Sequence, residues 1–330
     1  MAVETAAIRT TATSVWAVPS LAAIALVALA AFPLVIADPY LIHLGVLALM
    51  HATVATTWNL LCGYAGIFSM GHQAFFGVGA YTSALLAMRL GLSPWAGMPL
   101  GGAGAAMLSL LIAVPTLRLR AAPYVAIATL GFAEVCRLVA QNLVGLTRGE
   151  MGLNGIPGLP PIRTMDLQIN FYSRTSFYYL MLLIFGASFA VAYGIVRSPF
   201  GLALKAIRES QDAAEALGVN HARSKILIFG ISSGMAGIVG AFYSHYIQVL
   251  TPSSVLALPM MVEVVAMTLI GGLGTILGPV IGSIALTFGL EYLRFLGDYR
   301  MLLYGLALVP VIIFMPQGVV RRFLPRRLSF

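Results

Sequence analysis

The sequence predicts an all-α polytopic membrane protein with about ten transmembrane helices, both termini in the cytoplasm and one amphipathic cytoplasmic helix. Three observations predict it. Hydrophobic residues make up 60% of the chain and charged residues only 9%, with a mean hydropathy of +0.94, whereas soluble chains carry about 25% charged residues. Apolar runs of membrane-spanning length recur from end to end. Basic residues gather on alternate connections. A length of 330 residues would suggest roughly two soluble domains, but for a membrane chain the span count replaces that prior, and 1–330 reads as one transmembrane domain.

Arg9 precedes the first apolar run, 15–36. Ala28-Leu29-Ala30 within it has signal-peptidase spacing, but the run continues past it and further spans follow, so it reads as a first transmembrane helix. Asp38-Pro39 turns the chain into a second span, 40–61, which carries His43, His51 and Asn59. Gly63-x-x-Gly66 leads into the third, 67–88, where Gly71, Gly77 and Gly79 permit close helix approach or a broken helix. The fourth span is 96–117, followed by Arg118 and Arg120, and the fifth is 123–145. A polar, Gly- and Pro-rich loop, 146–175, carries Arg148, Glu150, Asn154, Arg163 and Asp166. The sixth span is 176–196, and the polar region 197–225 follows it. The remaining spans are 226–250, a short 256–270 that ends in Gly271-Gly-Leu-Gly274 and could instead be re-entrant, 276–296 and 301–315. Arg321, Arg322, Arg326 and Arg327 lie beyond them.

Threading these spans alternately from a cytoplasmic N-terminus puts twelve of the 19 Lys and Arg on the cytoplasmic side: Arg9, Arg118, Arg120, Arg197, Lys205, Arg208, Arg223, Lys225 and the four tail arginines. The opposite side receives Arg89, Arg148, Arg163, Arg174 and Arg300, while Arg137 and Arg294 fall within spans. The 146–175 loop is then periplasmic and 197–225 cytoplasmic. Both glycine breaks, at Gly63–Gly66 and Gly271–Gly274, lie on the cytoplasmic side. They make a weak parallel echo of the kind that points to a transporter pathway, although chance clustering of small residues gives the same pattern.

Ser198–Lys225 reads as one amphipathic helix. Ala203, Ile207, Ser210, Ala214 and Leu217 share a stripe, with Lys205, Arg208, Glu209, Asp212 and Glu215 opposite. Ser198-Pro199 suits a helix start and Gly218 a stop. A small-residue stripe on a charged helix suits docking into a groove of another protein, and a solvated loop helix with no partner accounts for the same pattern.

Several chemistries are excluded. The only lysines, Lys205 and Lys225, do not belong to a Gly-x4-Gly-Lys-Ser/Thr loop, so the chain has no P-loop for ATP. It contains no His-Glu-x-x-His, Cys-x-x-Cys or Gly-x-Ser-x-Gly sequence, and Cys62 and Cys136 make neither a metal set nor a disulfide framework. The 17 arginines are spread between apolar runs, which fits membrane orientation better than nucleic-acid binding. A charge at the bilayer centre costs about 2.5–3.5 kcal/mol on insertion scales. Glu134–Arg137 and Glu291–Arg294 therefore read as structural i,i+3 pairs. Glu263, in a segment without Lys or Arg, and His72-Gln73, after the first glycine break, are candidates for a pathway or for structural burial alike.

Four stretches carry a family resemblance: Gly63–Thr82 (GYAGIFSMGHQAFFGVGAYT), Tyr124–Ala140 (YVAIATLGFAEVCRLVA), Gly152–Leu159 (GLNGIPGL) and Arg208–His221 (RESQDAAEALGVNH). Together they resemble the inner-membrane permease subunits of branched-chain amino acid ABC importers, in the M-type, LivM-like branch, from about Tyr40 to Pro316. Asp212-Ala213-Ala214-x3-Gly218 also resembles the Glu-Ala-Ala-x3-Gly loop of ABC permeases, with Asp in place of Glu and no Ile-x-Leu-Pro following. The resemblance implies a bacterial inner-membrane subunit without catalytic residues, metal or cofactor of its own. It implies an H-type permease partner, two cytoplasmic ATPases that bind ATP and Mg, and a periplasmic substrate-binding protein. The substrates implied are branched-chain amino acids, or urea, short amides or aromatic acids as in related branches.

The resemblance carries an ATPase-coupling role to Arg208–Gly218. Ala213, Ala214 and Leu217 are expected to form the docking surface, Arg208, Glu209 and Asp212 its rim, and Gly218 the turn. The glycine breaks and buried polar residues suggest a translocation route bordered by Gly66, Gly71, His72, Gln73, Glu263, Gly271 and Gly274. A secondary transporter driven by an ion gradient would have no need of the docking helix, and a membrane enzyme would need a catalytic cluster that the sequence lacks.

Overall fold

The computed structural model describes residues 26–296, apart from 37, 120, 165–166 and 172, together with 305–306 and 318–319. Its first helices are α1 (Leu26–Val35), α2 (Pro39–Asn59), α3 (His72–Leu90), α4 (Pro94–Thr116), α5 (Ala122–Asn142) and the short α6 (Val144–Thr147). They are followed by α7 (Arg174–Arg197), α8 (Pro199–Glu209), α9 (Gln211–Ala216), α10 (His221–Ile247), α11 (Pro252–Val255), α12 (Leu258–Gly271) and α13 (Gly278–Tyr292). Among the described residues, six segments are long and apolar enough to cross a membrane: Pro39–Tyr64, α4, α5, α7, α10 and Pro252–Gly271. As described, α1 and α13 are shorter than the roughly 20 residues a span needs. Of the ten expected spans, the first is described only from Leu26, and 301–315 lies outside the described residues apart from 305–306.

Local chemistry sets the helix ends. Asp38 caps α2 by accepting from the Tyr40 amide at 2.8 Å, with Pro39 at the first helical position. Ser173, Ser198, Asn220 and Thr251 cap α7, α8, α10 and α11 in the same way. Gly91, at φ 63°, stops α3.

The region 197–225 differs from the single helix expected. At Ser210 (φ −158°, ψ 113°) the backbone leaves helical geometry, and the Ser210 hydroxyl accepts from the Ala213 amide at 3.3 Å. A serine that can cap a new helix competes with continuation of the old one, so α8 and α9 are separate helices.

α10 packs against α3 and α4, α2 against α7 and α13, and α12 against α13. Small residues permit the closest of these approaches. A Cβ added at Gly240 on α10 would overlap the Phe76 carbonyl oxygen of α3, and one at Gly101 on α4 would lie 2.7 Å from the Gly79 oxygen. Gly240→Leu is therefore expected to separate α10 from α3 and to abolish recovery of a monodisperse protein, as measured by size-exclusion chromatography in detergent.

The loop between α5 and α7 is tied back to the bundle. Two short antiparallel pairs form, β1 (Leu153–Asn154) with β4 (Val249–Leu250), and β2 (Ile162–Thr164) with β3 (Leu167–Ile169). Trp95 Nε1 donates to the Pro160 carbonyl at 3.2 Å, and His245 Nδ1 donates to that of Pro157 at 2.7 Å. The starts of α4 and α7 and the ends of α3, α5 and α10 thus share one end of the molecule, and α8 and α9 lie at the other.

Candidate functional site

The two glycine breaks meet. α2 finishes in a π-helical turn, Leu60–Tyr64, a geometry frequent at functional sites. Asn59, one residue before it, is buried: its Nδ2 donates to the Thr275 carbonyl at 2.8 Å and its Oδ1 accepts from the Gly274 amide at 2.8 Å. A single side chain therefore joins two segments that are distant in the chain. Backbones touch here, since a Cβ on Gly63 would lie 2.7 Å from the Gly274 nitrogen. Gly66 (φ 70°) and Gly274 (φ 73°) adopt a left-handed conformation that costs other residues about 1–2 kcal/mol.

α8 presses on this joint. The Arg208 guanidinium donates to the Gly63 carbonyl. A Cβ on Gly66 would lie 3.0 Å from Arg208 Cγ. Lys205 Nζ sits 5.7 Å above the Tyr64 ring, within reach of a cation–π attraction. A cavity of about 200 Å³ lies between the joint, the α4–α5 connection and the α8–α9 break, and Lys225 on its wall donates to Gln211 at 2.9 Å.

His72 and Gln73, in the first turn of α3, are fully buried beside α2. His72 Nε2 lies 3.0 Å from the Thr57 hydroxyl and 3.5 Å from that of Ser232. Among the described residues His72 Nδ1 and Gln73 Oε1 have no hydrogen-bond partner, which is uncommon for buried polar atoms. Gly71 belongs to the packing of α3 on α5, because a Cβ there would lie 2.6 Å from the Thr129 carbonyl oxygen. Gly271 likewise seats α12 on α13. Glu263 is not at the joint. It is half-buried on α12 and lines a separate cavity of about 330 Å³ with His51, Met50, Phe76 and Tyr243.

The expected docking surface divides in two. Ala213, Leu217 and Gly218 are exposed, as are Glu209 and Asp212, and Leu217 is 82% exposed. Ala214, expected on the outward surface, is instead buried on α9. Arg208, expected on the rim, is exposed like Glu209 and Asp212 and in addition donates to the Gly63 carbonyl.

The family description "Branched-chain amino acid transport system / permease component" matches residues 40–312, which include both glycine breaks, α8 and α9. The chain belongs to this permease family. The permease is 32% identical over 310 residues to the high-affinity branched-chain amino acid transport system permease protein LivM of Escherichia coli (strain K12), covering 87% of this chain and 72% of that protein. LivM of Salmonella typhimurium is 31% identical over 297 residues, 84% of this chain and 69% of the relative. LivH of E. coli is 24% identical over 293 residues, covering 82% and 91%. No solved structure matches the permease. It is a multi-pass protein of the bacterial inner membrane and a transport component rather than a catalyst.

Two features of the permease escaped sequence reasoning, the role of Asn59 and the contact of Arg208 with Gly63. The available signal for the first was an amide in an apolar span one turn before a glycine break.

Proposed function

We propose that this permease is the M-type half of an ABC importer for branched-chain amino acids, spanning the inner membrane ten times with both termini inside. An H-type permease pairs with it, two cytoplasmic ATPases drive it, and a periplasmic binding protein delivers the solute. The observation that carries this reading is the contact of Arg208 with the Gly63 carbonyl. It links an exposed polar helix pair to the joint where both glycine breaks meet. Coupling requires a contact whose free energy differs between states, and a π-turn beside left-handed glycines is a place where backbone can rearrange. In this reading Gly66 and Gly274 border the route at its cytoplasmic end, with His72 and Gln73 deeper inside.

The orientation is supported by the twelve basic residues threaded to one side. Ser210 and Asn154 are both exposed and lie at opposite ends of the bundle. Ser210→Cys is expected to react with an impermeant thiol reagent only from the cytoplasm, and Asn154→Cys only from the periplasm. Reaction of both from one side would refute the threading.

The function is tested by reconstituting the permease with its H-type partner, ATPases and binding protein in proteoliposomes. Leucine, isoleucine and valine are expected to enter only with ATP and only with the binding protein. Uptake that follows an imposed ion gradient without ATP would overturn the assignment.

A further inference from the structure

A trough of about 390 Å³ runs between α3, α4 and α5. Along α5 its lining extends from Phe132, at mid-helix, to Leu143, just past the helix end, a rise of about 16 Å. Half the hydrocarbon core of a bilayer is about 15 Å, so the trough has the depth of one leaflet. Val78 and Leu85 of α3 and Leu111 of α4 form its other walls. Leu111, Val135 and Val139 are exposed, so it opens sideways from the bundle. No charged side chain lines it among the described residues.

The charges gather at one end instead. Thr147 lines the trough there, and the exposed Arg148 follows it. Arg89, exposed at the end of α3, donates to the Leu146 carbonyl at 3.3 Å and to that of Gly145. A guanidinium has five donors, so Arg89 keeps others for an anion. Glu150 accepts from Gln141, and neither Arg89 nor Arg148 forms an ion pair among the described residues. A helix of a partner subunit does not fit inside this space. At 10–12 Å in diameter, 16 Å of helix occupies more than about 1,200 Å³, roughly three times the trough. An acyl chain is one methylene wide. Left empty, the trough would deprive its lining of contacts on one side, along a helix that packs on α3 and α4 more sparsely than α10 does.

We propose that the trough seats one acyl chain of a phospholipid, whose phosphate rests at Arg89 and Arg148. In the orientation proposed above the lipid belongs to the periplasmic leaflet. The planar guanidinium donors suit the paired oxygens of a phosphodiester. The chain supplies the packing that α5 lacks along this stretch, so the lipid braces α5 against α3 and α4. It is a bound component of the permease and does not exchange freely with the surrounding bilayer.

The test is native mass spectrometry of the complete importer, released from membranes in mild detergent. One phospholipid is expected to stay with each copy of this chain. Val139→Trp places an indole in the trough and should lower that retention by about tenfold or more. Arg148→Asn, with a side chain that tolerates the left-handed φ of 62°, should lower it about fivefold. A permease that carries no phospholipid, or equal retention in Val139→Trp, overturns the site. After delipidation, phosphatidylglycerol is expected to rebind, and the diacylglycerol with the same chains to bind about fivefold more weakly or worse. Equal binding of the two overturns the placement of the phosphate. If Val139→Trp does not assemble, Leu111→p-benzoylphenylalanine decides, since illumination is expected to cross-link it to phospholipid. Cross-linking to the H-type permease instead, or to no lipid, overturns the proposal.

Discussion

Asn59→Leu is expected to stop transport and lower the melting temperature of the purified permease while leaving its helices inserted. Leucine keeps the branched outline of asparagine, but its methyl groups are bulkier than the amide atoms held 2.8 Å from Gly274 and Thr275, so overpacking adds to the loss of hydrogen bonds. The substitution removes both bonds that join α2 to the segment after α12, leaving the Gly274 amide and the Thr275 carbonyl buried without their partner. Each such group costs about 1–3 kcal/mol, so the joint loses about 2–6 kcal/mol. Asn59→Asp keeps the acceptor for Gly274 but sets a carboxylate oxygen against the Thr275 carbonyl and buries a charge, so it should transport no better than Asn59→Leu. Leucine import in proteoliposomes and thermal unfolding in detergent check both variants. Wild-type import and stability in Asn59→Leu would mean that the two breaks need not be joined.

The joint also marks how far the sequence could be read. The apolar runs placed the helices because lipid leaves a backbone no partner but itself, and the caps at Asp38, Ser198 and Asn220 follow from side-chain chemistry local to each end. The glycine breaks were legible as breaks. That they touch was not, because the contact depends on how α2, α12 and α13 pack, and no short-range pattern encodes it. The same limit applies to Ser210. Its small side chain fits a helical stripe and an N-cap equally well, and only the packing of α8 against the π-turn decides between them. Gly71 looked like a route residue by its place after a break, yet its closest neighbour is the backbone of α5. Gly71→Leu would therefore disturb the packing of α3 on α5 whether or not Gly71 borders the route. The Glu134–Arg137 pair was legible as a pair from its spacing, but its exposure depends on α5 being the least buried of the six long apolar segments.

Leu217→Arg and Arg208→Ala are expected to fail in different ways, and the difference locates the coupling path. Leu217 is 82% exposed at the end of α9, beside the left-handed Gly218 (φ 85°) and outside every long apolar helix. Burying a leucine in a partner groove contributes about 1.5–3 kcal/mol, so losing it weakens ATPase binding by about tenfold to a hundredfold. Placing a guanidinium in an apolar groove adds a desolvation cost. Leu217→Arg should therefore release the ATPases during purification. Arg208 is also exposed, but its guanidinium donates to the Gly63 carbonyl. Arg208→Ala should retain the ATPases and hydrolyse ATP while importing little leucine, because the partner still docks but no longer acts on the joint. Ala214→Trp forms a third case. Its buried site cannot admit an indole, so α9 should shift and both functions should fall together. Co-purification, ATP hydrolysis and import measured side by side separate the three. If Leu217→Arg keeps its ATPases and imports at the wild-type rate, α9 is not the docking element. If Arg208→Ala also imports normally, the path from α8 to the π-turn carries no coupling, and motion must reach the glycine breaks by another route.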